Sequence, residues 1–412
     1  MSDFNKNILV LLSGTTIAQA LPIILMPVLT RLYSPADFGV LAIFIAVTTI
    51  LGAIANARYE LAITLPETDD EAITVAALGI AIASIFSLLL LIPFVLLNGT
   101  VSSLFSNEAI SVWLYFVPVV VWLIGVFNVY NFLNTRLKRY KDIAISHVYR
   151  SIAMLSIQLI LGFAKTGSLG LVSGQIFSQL IVTLRAGYFL PVKMIFCKIK
   201  NLSSLKVVAF RFKRFFIFML PATLMNSLSN NFISLYLPVA FSLSTLGFYS
   251  LAQRALGAPS ALIGSSIGQV YMQEASAERV KTGVVIKSFL SSLKKLTVIS
   301  IIIFIPLFFI VEELFSFVFG EEWRIAGVYT KILLPFFAIN FIVSSLSVTD
   351  SVMEKQYWYA IFNFTMITGL FSIFLFYKPT SVESFLYIVN AFLSISYFCY
   401  LIIIFNVSRG KL

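Results

Sequence analysis

VKMIFCKIKNLSSLKVVAFRFKR, from Val192 to Arg214, is the stretch that organises the rest of this chain. It holds Lys193, Lys198, Lys200, Lys206, Arg211, Lys213 and Arg214 and no acid. It lies midway along 412 residues that are 59% hydrophobic and only 11% charged. Soluble domains carry about 25% charged residues, so most of this chain must face lipid. On both sides of the basic stretch the sequence is a series of apolar runs. Crossing the hydrocarbon core takes roughly 20 apolar residues. By that measure spans are expected near 8–29, 38–62, 73–97, 111–134, 145–164 and 169–191 before it, and near 215–240, 246–271, 295–318, 328–349, 356–377 and 384–406 after it. The expected fold is therefore an all-α integral membrane protein with about 12 transmembrane helices. Its organisation is an N-terminal six-helix lobe over 1–192, a basic linker over 193–214 and a C-terminal six-helix lobe over 215–412.

The net charge of +11 would suggest nucleic acid in a soluble protein. Here its placement sets orientation instead, and no nucleic-acid partner is expected. Alternate connections collect Lys6, Arg58, Arg136, Lys138, Arg139, Lys141, the seven linker cations, Arg279, Lys281, Lys287, Lys294, Lys295, Lys355, Arg409 and Lys411 on one side. The other side holds Arg31, Lys165, Arg324, Lys331 and Lys378. The bias is roughly four to one, and the positive-inside rule makes the rich side, with both termini, cytoplasmic. The linker is then expected to lie on anionic headgroups. Lys6, the apolar run after it and Ala18-Gln19-Ala20 have the outline of a signal peptide. The run continues through Leu29, however, and is long enough to be the first helix.

The two sides of the linker repeat each other. Tyr33-Ser34-Pro35-Ala36-Asp37-Phe38-Gly39 precedes the second span, and Phe241-Ser242-Leu243-Ser244-Thr245-Leu246-Gly247 precedes the eighth. Phe105-Ser106-Asn107-Glu108 and Phe319-Gly320-Glu321-Glu322 follow the third and ninth. Parallel repeats of this kind are a common transporter plan.

Several chemistries find no support. There is no G-x-x-x-x-G-K-[ST] loop for an ATP-driven pump. One histidine, His147, and two cysteines, Cys197 and Cys399, give neither a multi-His metal site nor a disulfide framework. A membrane polymerase or ligase would need catalytic groups on an outer loop, where Glu108, Glu312, Glu313, Glu321, Glu322, Arg324 and Glu383 are the choices. Asp69-Asp70-Glu71 reads as a solvated helix start whose acids complement the helix dipole.

The informative residues are polar groups inside the bilayer, each costly without a partner or a wet cavity. Arg254 lies eight residues past Leu246, about 12 Å deep. That is near the middle of a roughly 30 Å core, with Gln253 beside it. Both suit a cavity wall that receives phosphate or an acidic sugar. Arg150 and Arg185 lie near cytoplasmic ends and can snorkel. Arg58 and Glu60, two apart, would not share a helix face. Arg58 is a candidate phosphate ligand at the inner mouth, and Arg31 stands at the outer end of the first helix. Asn128, Asn131 and Asn134 form one stripe, and Asn226, Asn230 and Asn231 another. Asn suits sugar hydroxyls and equally glues helices together.

Leu29-Thr30-Arg31-Leu32-Tyr33-Ser34-Pro35-Ala36-Asp37-Phe38-Gly39 resembles the signature leading into the second helix of polysaccharide-biosynthesis flippases. Arg58-Tyr59-Glu60-Leu61-Ala62-Ile63 with Leu65-Pro66, Gly247-Phe248-Tyr249-Ser250-Leu251-Ala252-Gln253-Arg254, and Phe319-Gly320-Glu321-Glu322-Trp323-Arg324-Ile325-Ala326-Gly327 resemble three further stretches of the same family, in the same order. The resemblance implies the flippase branch of the multidrug/oligosaccharidyl-lipid/polysaccharide exporter superfamily, with two six-helix lobes around a central cationic lumen. It implies transfer of an undecaprenyl-pyrophosphate-linked oligosaccharide repeat unit across the bacterial inner membrane for O-antigen or capsule. A polysaccharide polymerase, a chain-length regulator and membrane lipids are the implied partners. Arg31, Arg58 and Arg254 match the family's basic positions, and Asn128, Asn131, Asn226, Asn230 and Gln253 complete the expected substrate set. No cofactor is expected. Proton or sodium coupling would fall on Glu60, with Asp350, Glu354, Glu312 and Glu313 as the other acids near either face. The absence of a mid-membrane carboxylate argues against a drug exporter of the same superfamily.

Overall fold

A computed structural model describes residues 3–104 and 109–411. Glu108, and the Phe105–Asn107 part of the repeat, lie outside the described residues. Among the described residues there are helices and turns and no strand. The long helices are α1 (Asp3–Leu32), α2 (Pro35–Ile54), α3 (Asp69–Leu91), α4 (Val117–Arg136), α5 (Tyr140–Phe163) and α6 (Ser168–Gly187). Two short helices, α7 (Val192–Ile199) and α8 (Leu202–Arg211), form the linker. After them come α9 (Leu220–Ala240), α10 (Leu243–Thr282), α11 (Ile286–Phe319), α12 (Arg324–Leu346), α13 (Tyr357–Phe376) and α14 (Val382–Ser408).

Ten of these helices are long and apolar enough to cross a membrane, among the described residues. The other two expected spans are α9 and α10, of 21 and 40 residues. Both are long enough to cross, but asparagines, glutamines, serines and Arg254 dilute their apolar character. The chain is a multi-pass, all-α membrane protein. Leu88, Ile160, Phe163, Phe309, Phe317 and Phe376 are exposed, as expected where the surrounding medium is hydrocarbon.

Local chemistry sets the helix ends. Ser34 and Asp37 form a reciprocal capping box behind Pro35 at the start of α2. Thr68 caps α3, whose first turn carries Asp69, Asp70 and Glu71. Pro93 falls where α3 gives way to a wide turn, Ile92–Leu96.

The second span ends earlier than 62. Helix α2 stops at Ile54; Ala57 and Arg58 then take left-handed φ values of 50° and 66°, and Tyr59–Thr64 forms a 3₁₀ turn. Left-handed backbone costs a non-glycine residue about 1–2 kcal/mol. A window of apolar residues carries no trace of such a turn.

The chain divides into two compact units, Met1–Gly247 and Phe248–Leu412. In the first, a core cluster joins Ile73, Ala76, Ala77 and Ile80 of α3 to Tyr130 and Leu133 of α4. Ile195, Leu205, Val208 and Phe212 of the linker join the same cluster. Burying each such large side chain contributes about 1.5–3 kcal/mol. Three ion pairs close the linker end: Arg136 Nε to Asp69 at 2.9 Å, Lys198 Nζ to Asp70 at 2.6 Å, and Arg211 to Glu71. The acidic start of α3 is thus a clasp for the linker as well as a complement to the dipole. The Tyr59 hydroxyl adds a bond to the Ala209 carbonyl, 3.1 Å.

The repeated segments meet within this unit. A Cβ on Gly39 would overlap the Leu243 carbonyl, and one on Gly247 would overlap the Pro35 carbonyl. Leu243 and Gly247 stand 208 residues after Pro35 and Gly39, so equivalent positions face each other reciprocally.

The second unit packs α11, α12 and α14 around Phe289, Leu296, Phe304, Phe341, Val389 and Ile404. Trp323, 1% exposed, meets the ring of Phe248 edge-on at 5.8 Å. Lys331 pairs with Glu312 at 2.8 Å, and Arg324 with Glu313 at 3.2 Å and Glu321 at 3.1 Å.

Candidate functional site

Helices α1, α5 and α6 line an open cavity of about 490 Å³ in the first unit. Close approach of α1 to α5 is set by Gly14, where a Cβ would meet that of Ala144 at 2.5 Å. The Ser151 hydroxyl fastens the pair by donating to the Ala18 carbonyl, 2.6 Å. Beyond the cavity lining, Tyr33, just past the end of α1, and Gln158 tie the three helices together: the Tyr33 hydroxyl donates to the Gln158 carbonyl, 2.5 Å, and the Gln158 amide to the Leu171 carbonyl, 3.0 Å.

The walls are Thr15, Ala18, Gln19, Pro22, His147, Arg150, Ser151, Met154 and Gln175. Arg150 is the one charged side chain among them, and no carboxylate pairs with it among the described residues. An Arg fork offers five donors in a fixed plane and matches phosphate or carboxylate oxygens bidentately. Gln19, Gln175 and Thr15 add amides and a hydroxyl able to donate or accept. His147 packs edge-on against Phe127 at 5.8 Å, which orients its ring. The arrangement can hold one anionic group beside a polar, neutral one.

Sequence reading did not find this cavity. Arg150 reads as a snorkelling side chain, and Gln19 falls within an apparent cleavage motif. His147 reads only as too few for a metal site, and Gln175 stands among Gly and Ser. The common signal is positional: 147, 150, 151 and 154 follow an i, i+3, i+4, i+7 spacing on α5. Among the described residues no group of three His, Cys, Asp or Glu could hold a metal ion.

The expected residues are placed as follows. Arg31 is exposed at the end of α1. Arg58 and Glu60 are joined, contrary to the helical expectation: Arg58 Nη1 lies 3.0 Å from Glu60 Oε1. The helix has already ended, and the left-handed Arg58 folds its side chain back over the 3₁₀ turn. Glu60 is 1% exposed. Its Oε2 and the Arg58 Nε are buried with no hydrogen-bond partner among the described residues. Burial pushes the Glu60 carboxyl above its usual range, against the pull of Arg58 and a backbone hydrogen bond. This strained pair with unused bonding capacity is a second candidate feature of the first unit.

Asn128 and Asn131 on α4 are partly buried. Asn134, the third of that stripe, is glue: its amide donates to the carbonyls of Ala186, 2.8 Å, and Tyr130, 2.9 Å. On α9, Asn230 donates to Asn226 at 2.6 Å, and Asn231 turns back to the Ser227 carbonyl at 2.9 Å. In the second unit, Gln253 donates to the Tyr249 hydroxyl at 2.7 Å. Arg254 beside it is partly buried and, like Arg150, pairs with no carboxylate among the described residues. None of the expected substrate residues lines the Arg150 cavity.

The chain is a polytopic, all-α membrane protein in which Arg150 and Arg254 pair with no carboxylate among the described residues. Its fold is similar to that of "Lipid II flippase MurJ, inward closed conformation", with a TM-score of 0.72 and 14% identity over 96% of this chain and 90% of that one. It is also similar to an outward-facing multidrug resistance MATE family transporter, with a TM-score of 0.59 and 14% identity over 98% and 95% of the two chains. A third similar structure is a transporter of the same superfamily from Pyrococcus furiosus, with a TM-score of 0.56 and 13% identity over 99% and 96%. At such identities the likeness is one of fold. The sequence profile of the polysaccharide biosynthesis protein family matches residues 28–327, and this chain belongs to that family. No curated protein matches the chain by sequence.

Proposed function

We infer that this protein is a flippase for undecaprenyl-pyrophosphate-linked oligosaccharide units. It carries them by alternating access from the cytoplasmic to the outer face of the bacterial inner membrane, for assembly into O-antigen or capsule. The observation that carries this reading is the Arg150 cavity: a guanidinium that pairs with no carboxylate among the described residues, on a helix long and apolar enough to cross a membrane, with the amides of Gln19 and Gln175 on the same walls. A pyrophosphate cannot cross hydrocarbon bare. A fixed cation takes the place of its hydration, while neutral polar groups suit sugar hydroxyls. Membership of a polysaccharide biosynthesis family and a fold shared with a lipid II flippase support the same class of cargo. Arg254, Arg58 and Arg31 are further cations for the substrate, and Asn128, Asn131, Asn226, Asn230 and Gln253 are sugar contacts. Glu60, held with Arg58, is the group on which proton or sodium coupling would act. Polymerase and chain-length regulator would take up the product.

The test is deletion and complementation in the host, followed by extraction of lipid-linked intermediates from each membrane face. Complete, unpolymerised units accumulating on the cytoplasmic face, and cleared by the wild-type chain, are the expected result. Complete units already on the outer face would move the function to polymerisation or ligation. Arg150→Ala removes one charge-assisted contact of about 1.5–3 kcal/mol. It is expected to slow clearance roughly ten- to hundred-fold with the protein still in the membrane.

A further inference from the structure

The seven cations of the linker divide into two groups. Lys198 and Arg211 pair with Asp70 and Glu71 at the start of α3. Lys193, Lys200, Lys206, Lys213 and Arg214 are exposed and pair with no carboxylate among the described residues. The apolar side chains divide in the same way. Ile195, Leu205, Val208 and Phe212 are buried in the core of the first unit, whereas Met194, Phe196, Leu202, Val207 and Phe210 are exposed. Spacing places the exposed sets together. Lys193, Phe196 and Cys197 on α7, with Lys200 at its C-cap, follow i, i+3, i+4, i+7, and Ser203, Lys206, Val207 and Phe210 do so on α8. The Lys213 ammonium stands 3.9 Å from the centre of the Phe210 ring.

We propose that the outward face of α7 and α8 is a docking surface for anionic phospholipids of the adjoining leaflet. Bulky apolar side chains interleaved with Lys and Arg on one helix face are the pattern of a helix lying in the membrane interface. Charge decides among occupants, since α7, α8 and the turns that follow them present five cations that pair with no carboxylate among the described residues, which fits an anionic surface. Continuity decides too: the chain runs from Phe210 through exposed Phe216, Ile217 and Phe218 directly into α9. The acidic clasp on α3 fixes the opposite face of the same helices, so the linker is held between protein and headgroups. This inference is independent of what the protein transports.

Cys197 lies on the proposed face and is exposed, which makes it a reporter. The full chain carrying Cys399→Ser is placed in nanodiscs of phosphatidylcholine alone or with about a third phosphatidylglycerol. A fluorophore on Cys197 is then challenged with acyl-brominated phosphatidylglycerol or the same fraction of brominated phosphatidylcholine. Stronger quenching by the anionic lipid, abolished by high salt, is expected. Slower maleimide labelling of unmodified Cys197 in the anionic discs is expected alongside it. Replacing Lys193, Lys200, Lys206, Lys213 and Arg214 by Gln leaves the clasp intact and is expected to equalise the two lipids. Equal quenching of the wild-type chain by both lipids overturns the proposal, including the case in which a protein partner covers this face in cells.

Discussion

At the residue scale, the Arg58–Glu60 pair shows how a turn changes the chemistry of its neighbours. Arg58 would diverge from Glu60 on a helix; in left-handed backbone it reaches the carboxylate at 3.0 Å. Burial raises the Glu60 pKa, so the folded chain holds the proton more tightly than the unfolded one. That contribution to stability is full below the usual value of about 4.3 and is lost as pH rises through the raised value. Glu60→Gln does not titrate, so its melting temperature relative to wild type is expected to climb between acid and neutral pH. A difference that stays flat with pH would remove the inference about burial. Arg254 could be singled out in the sequence because depth along a helix can be counted from its start. Arg150 could not: its value comes from which helices close around it, and the linear distance to a helix end does not report that. Arg254→Ala is expected to block surface glycan while the chain reaches the membrane. Normal glycan in that variant counts against its role.

At the scale of elements, one asparagine stripe serves two ends. Asn134 bridges α4 to α6, whereas Asn128 and Asn131 are partly buried without such a bridge among the described residues. Hydrogen bonds between membrane helices contribute about 0.6 kcal/mol on average and about 1.7 at most. Asn134→Ala is expected to lose stability on that scale in a thermal melt of detergent-solubilised protein. Asn128→Ala is expected to keep its stability and lose transport; the reverse pattern would exchange the two roles. The helical type and ten of the spans were readable because apolar length is a one-dimensional property. The early end of α2 was not, since it depends on backbone angles at Ala57 and Arg58. At Gly39 and Gly247 helix starts cross with no room for a side chain. Gly247→Val is expected to cost at least about 1–3 kcal/mol, the usual range for overpacking, because the obstacle is backbone and cannot turn aside. Unchanged thermal stability would contradict that crossing.

For the whole molecule, the positive-inside count makes one firm demand. A single cysteine placed in 201–204 should react only from the cytoplasm, and one in 379–381 only from outside, in intact cells with impermeant reagent. Labelling of both from the same face would break the twelve-span topology. The reciprocal contact of Pro35–Gly39 with Leu243–Gly247 reaches further. Two stretches that match in sequence and touch at matching positions have the geometry of an isologous dimer interface, here closed within a single polypeptide. If the repeats descend from one shorter gene, its product would have needed a second copy of itself to fill this seam. Each glycine would then have met a carbonyl at the start of the twin helix, Gly39 that of Leu243 and Gly247 that of Pro35. A chain with the two segments exchanged should still accumulate in the membrane, whereas segments that had drifted into specialised roles would not survive the swap.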